Sequence, residues 1–197
     1  MDDRPGYDDL DAHLEKLAAA GLLHTIDRPI DKDREMHPLV RWQYRGRIPE
    51  QSRKAFLFTN VVDAKGRSYP GAKVAIGVLA GTPRIYALGM GKPEADIGQT
   101  WLTAMAGPIP PKVVDAAPCQ EVVLTGDDLM GQGKGLDALP IPISTPGYDT
   151  APYFTAGLWA TRDPDTGIQN LGLYRGNLKA PNRVVVMMER STLAGGG

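Results

Sequence analysis

Apolar residues first recur at a helical spacing near the start of the chain, where Leu10, His13, Leu14 and Leu17 fall on one face of residues 8–20. Asp8 or Asp9 can cap this helix, and Gly21 can end it in the left-handed conformation. Residues 22–26 read as a short strand, Asp27-Arg28-Pro29 as a turn, and residues 36–44 as a second, weaker helix. The stretches 55–62 and 73–79 are rich in apolar and β-branched residues, as buried strands are, and turn material at 63–67 lies between them. Two helix starts follow: Thr82 stands before Pro83, and Lys92-Pro93-Glu94 places an acid in a first turn. Pro108, Pro110 and Pro111 close the helical stretch and resemble a hinge.

The pattern changes after residue 115. Residues 120–124 read as a strand, and residues 140–146, with three prolines, as extended backbone outside any ladder. Residues 153–161 and 168–178 read as strands joined by the turn Asp163-Pro164-Asp165-Thr166-Gly167, and residues 183–188 as a further strand. Three strands on short connections suggest an antiparallel sheet or part of a β-barrel. The expected fold class is therefore an α/β (α+β) domain over residues 1–115, followed by a β-rich domain over residues 116–197.

Composition narrows the functional classes. The 197 residues carry 22 basic and 23 acidic side chains, a net charge of −1, which leaves no basic footprint for nucleic acid or for a membrane surface. The longest apolar runs are far too short to span a bilayer. The opening Met1-Asp2-Asp3-Arg4-Pro5 does not resemble a secretory leader, and the single Cys119 cannot form an intrachain disulfide. A cytoplasmic location is expected, with Cys119 as a small buried hydrophobe. There is no Walker loop and no dinucleotide-binding glycine pattern. His13, His24 and His37 have no metal-ligand spacing; His13 is expected on a helix flank. No histidine follows residue 37, so a histidine-based nucleophilic site confined to the second half is excluded.

The segment Asn170-Leu171-Gly172-Leu173-Tyr174-Arg175 carries the most chemistry. On one alternating strand Asn170, Gly172 and Tyr174 would share a face, and Leu171, Leu173 and Arg175 the other. A structural account makes these a strand-start polar residue, a bulge and a solvated or paired charge. A functional account starts from Arg175, because burying an arginine in an apolar strand requires an anionic partner.

Three ordered segments resemble the UbiD family of prenylated-FMN-dependent decarboxylases: residues 117–128; Leu139-Pro140-Ile141-Pro142 with residues 152–157 and the turn at 163–167; and residues 170–175. The first helix followed by Ile26-Asp27-Arg28-Pro29-Ile30-Asp31 resembles the family's opening. This resemblance implies an N-terminal α/β domain and the start of a split β-barrel that holds prenylated FMN. It implies a carboxy-lyase acting reversibly on an aromatic or α,β-unsaturated carboxylic acid. Asn170 would be a ligand of Mn2+ (or Mg2+), with K+ nearby; Gly172, Leu173, Tyr174 and Arg175 would bind the flavin, the first two through close backbone, and Arg175, over the flavin ring, would be catalytic and hold the substrate carboxylate.

The family completes its metal site and its acid–base machinery with a His and Glu residues that this chain does not match. After Arg175 it offers only Glu189 among acids, and Glu189 is given no ligand role. The active site is therefore expected to be incomplete within these residues. The favoured expectation is a piece of a longer enzyme, ahead of a small subunit completed by a second UbiD-like chain and of a non-catalytic relative. An open sheet edge and apolar residues such as Val184 and Val186 imply a homo-oligomer or a partner subunit.

Overall fold

A computed structural model describes residues 7–187. Helix α1 (Leu10–Ala19) starts where the Asp9 carboxylate accepts from the Ala12 amide at 2.8 Å, and Gly21 follows it with φ +69°. Its buried stripe is His13, Leu14 and Leu17. His13 is fully buried, not on a flank, and its Nε2 donates to the Val78 carbonyl at 2.6 Å.

Strands β1 (Leu23–Ile26), β3 (Ala55–Phe58) and β5 (Val74–Ile76) form one sheet in the order β1-β3-β5, parallel across the first pair and antiparallel across the second. The short strands β2 (Ile30–Asp31) and β4 (Val61–Val62) pair in parallel beside it. Alternation along β3 divides the core. Phe56 and Phe58 join Ile30, Met36, Val40, Val61 and Tyr69 under α2 (Met36–Arg45). Ala55 and Leu57 join Leu14, Leu17, Leu22, Val78 and Ile85 under α1 and α3 (Pro83–Met90). Both faces of the central strand are thus covered, which explains why β3 is apolar at every position. Thr82 caps α3 by accepting from the Ile85 amide at 3.2 Å, and Gly91 ends it at φ +62°. Helix α4 (Ile97–Ala106) buries none of its residues.

The expected strand at 120–124 does not form. A 3-10 turn at Pro118–Gln120 occupies its start, and Val122 and Val123 are exposed, with no strand paired to them among the described residues. Cys119 is correspondingly exposed rather than buried. Further 3-10 turns at Gly126–Leu129 and Gly135–Ala138 lead to the irregular proline-rich stretch.

The two long strands expected next are each broken in two. The first becomes β6 (Tyr153–Phe154) and β7 (Leu158–Arg162), and the second β8 (Gln169–Leu173) and β9 (Gly176–Ala180). β7 and β8 form a hairpin across a turn in which the Asp163 carboxylate accepts from the Asp165 and Thr166 amides, both at 2.8 Å. β9 instead pairs with β6 and with β10 (Arg183–Val186), in the order β10-β9-β6, all antiparallel. The breaks meet: the Trp159 indole donates to the Tyr174 carbonyl at 3.0 Å, and the Tyr174 amide to the Gly157 carbonyl at 3.3 Å. The end of the expected strand 183–188, together with Glu189, lies outside the described residues.

Three basic side chains tie the halves together. Lys32 Nζ donates to the Ile141 carbonyl at 3.0 Å, and Arg41 to the Ser144 carbonyl at 3.1 Å. Arg67 pairs with the Asp137 carboxylate at 2.7 Å and also donates to its carbonyl at 2.8 Å. Asp137 is held below the ordinary aspartate value by the Gly133 amide and Arg67, which outweigh its partial desolvation.

Candidate functional site

Where the chain passes from β8 to β9 it opens a cleft of about 480 Å³, lined by Tyr153, Leu173, Tyr174, Arg175, Asn177 and Lys179, with Val185 and Met187 from the β10 side. The strand break makes this possible. If 168–178 were one strand, Arg175 would follow the β7 ladder; the switch of partners carries it to the rim of the β6–β9–β10 sheet instead.

Arg175 is not buried in an apolar strand. Its side chain is 52% exposed, and its Nη2 donates to both carboxylate oxygens of Asp149 at 3.1 Å. Its guanidinium also lies 4.2 Å from the centre of the Tyr153 ring. Asp149 is 11% exposed, and its Oδ2 accepts from the Thr145 amide at 2.8 Å, so the anion is fixed and the arginine is drawn to it. His37, in the first turn of α2, faces the same charges. Burial first, then the cations of Arg41 and Arg175, holds it below the ordinary histidine value, and Asp149 opposes them only in part. Its Nε2 is buried without a hydrogen-bond partner among the described residues. His37 and Tyr153 also border a second, more apolar cleft of about 620 Å³ between β5 and the Leu139–Pro142 run.

Leu173, Tyr174 and Arg175 therefore come together in one cleft, whereas Asn170 and Gly172 lie on β8 outside its lining. The space over Gly172 is taken by the Tyr174 ring, which a Cβ at that position would strike. Asn170 is exposed opposite Thr161. Among the described residues no group of three or more His, Cys, Asp and Glu side chains could hold a metal ion. Sequence reasoning missed Asp149, His37 and Asn177. The first two reach Arg175 from distant segments and carry no local signal. Asn177 could have been found two residues after Arg175, on the same strand face.

Solved structures of the same fold belong to one class of enzymes. The chain superposes on the UbiD-class enzyme HmfF from Pelotomaculum thermopropionicum in complex with FMN with a TM-score of 0.75 and 27% identity, over 93% of this chain and 37% of that one. An evolved dimeric form of HmfF in complex with prFMN gives a TM-score of 0.74 and 26% identity, over 91% and 38%. The apo 3,4-dihydroxybenzoic acid decarboxylase from Enterobacter cloacae gives 0.76 and 26%, over 96% and 38%. Two family models then account for nearly the whole sequence: the 3-octaprenyl-4-hydroxybenzoate carboxy-lyase N-terminal domain over residues 14–105 and the Rift-related domain of the same carboxy-lyase over residues 112–194. The chain belongs to the UbiD family. It spans well under half the length of the solved enzymes it matches, 37–38%.

Proposed function

We propose that this chain contributes the flavin-facing and carboxylate-facing part of a UbiD-type carboxy-lyase acting on an aromatic or α,β-unsaturated carboxylic acid. The rest of the site would come from further sequence or a partner chain. The observation that carries this reading is Arg175 at the rim of an aromatic-walled cleft, already holding a carboxylate, that of Asp149. A substrate carboxylate is the same chemical group, and exchanging one for the other leaves the guanidinium charge paired throughout.

The cleft fits a flavin in kind: apolar walls at Leu173, Tyr153 and Val185, a cation at Arg175, and a buried amide at Asn177 with no partner. Prenylated FMN, when bound, would supply the electron sink for the charge left as CO2 departs. The residues of this chain would orient the acid and keep its carboxylate desolvated. The described residues do not complete a Mn2+ or Mg2+ site. Asn170 offers one hard carbonyl oxygen, so no step is assigned to the metal.

The test is Arg175→Ala in the protein completed by its remaining sequence or partner. Loss of a charge-assisted contact to the substrate is expected to lower kcat/KM on the order of a hundredfold. The melting temperature should hold, since the side chain is half exposed. An unchanged kcat/KM would remove Arg175 from the reaction.

A second reading, a subunit that pairs with another UbiD-like chain without chemistry of its own, is favoured by the β7–β8 hairpin. Leu158, Leu171 and Leu173 share one face of it, each at least 60% exposed.

A further inference from the structure

Asn177 is a buried polar side chain in the lining of the cleft. It is the second residue of β9, the middle strand of its sheet, opposite Tyr153 on one neighbour and Val185 on the other, so the three side chains share a face. The residue is 4% exposed, and both its amide nitrogen and its amide oxygen are buried without a hydrogen-bond partner among the described residues. A carboxamide left unsatisfied at both ends is costly, and an apolar residue of similar size would pack there more favourably. Arg175, just before β9, and Asn177 and Lys179 on it line the same cleft at alternate positions, with the amide between the two cations.

We propose that Asn177 reads the edge of the bound ligand, its oxygen accepting from one ligand N–H and its nitrogen donating to an adjacent ligand carbonyl. An imide has that paired edge, and the flavin ring carries one. A carboxylate alone offers only acceptors and leaves the amide oxygen orphaned. This inference rests on the reading that the cleft holds a flavin. It assigns Asn177 a binding role separate from Arg175, two residues away on the same face, about 7 Å along the strand.

The experiment titrates the protein completed by its remaining sequence or partner with FMN and with 3-methyl-FMN, which lacks the imide N–H, following flavin fluorescence, and repeats both with Asn177→Leu. Loss of the paired contact should weaken FMN binding about tenfold in the variant, and 3-methyl-FMN should bind the unaltered protein about tenfold less tightly than FMN. The two losses should not add, because each removes the same interaction. Asn177→Leu should melt at the same temperature as the parent or higher. Equal binding of both flavins to both proteins would overturn the inference and leave the flavin reading standing. A lower melting temperature with unchanged affinity would overturn it too, and would make the amide a structural group satisfied by internal water. No flavin binding by the unaltered protein would remove the flavin reading and the inference together. Should the variant fail to fold, the comparison of the two flavins on the unaltered protein decides alone.

Discussion

Arg175 is held by groups from two distant segments: Asp149 from the loop after the proline run, and Tyr153 from β6, with His37 of α2 facing the same charges. The histidine gives this cluster a pH signature. Because folding depresses the His37 value, the unfolded chain binds the proton more readily, and stability is lost as pH falls below the ordinary histidine value of 6.5. His24 is shifted the same way, by desolvation first and then by Lys54. Thermal melting measured from pH 8 to 5 should therefore fall through the acidic half, and His37→Gln should make the fall shallower without removing it. An unchanged slope in that variant would mean that His37 is already solvated in the native state. Residue identities around Arg175 were legible as far as local sequence reaches. The Asn170–Arg175 motif pointed to the cleft, but the partners Asp149 and His37 stand 26 and 138 positions away, where no local pattern connects them.

Helices and central strands follow from their own sequences. The spacing of Leu14 and Leu17, the cap at Asp9 and the glycine at position 21 specify α1, and Thr82-Pro83 specifies α3. These helices meet at Leu17 and Ile85, both fully buried against Ala55 and Val78. Leu17→Ala should cost about 2–5 kcal/mol, the range for a large apolar side chain removed from a packed core, read from urea unfolding. A loss under about 1 kcal/mol would mean that α1 is docked by its surface contacts instead. What the pattern did not reveal is where a strand changes partner. Residues 168–178 alternate well enough to read as one strand, yet hydrogen bonding from Trp159 and Gly157 pins Tyr174 and splits it. Residues 120–124 have β propensity but no paired strand among the described residues, and propensity alone does not form a ladder.

At the scale of the molecule, the N-terminal α/β layers carry two packed cores, while the second half has short sheets and broad exposed apolar surface, from Val122 and Val123 through the β7–β8 hairpin. Lys32, Arg41 and Arg67 clasp the 137–145 stretch and so fix the cleft against the first half. The β7–β8 hairpin leaves an apolar face exposed, and the solved UbiD enzymes are more than twice as long as this chain. The central proposal is that this chain is part of a larger flavin-dependent carboxy-lyase. Mass spectrometry of the protein from its own source, native and then denaturing, tests it most directly. The account predicts a longer polypeptide or a co-purifying second chain, carrying a flavin heavier than FMN and a divalent metal. A solitary 21.2 kDa chain with no partner, no flavin and no metal would contradict it.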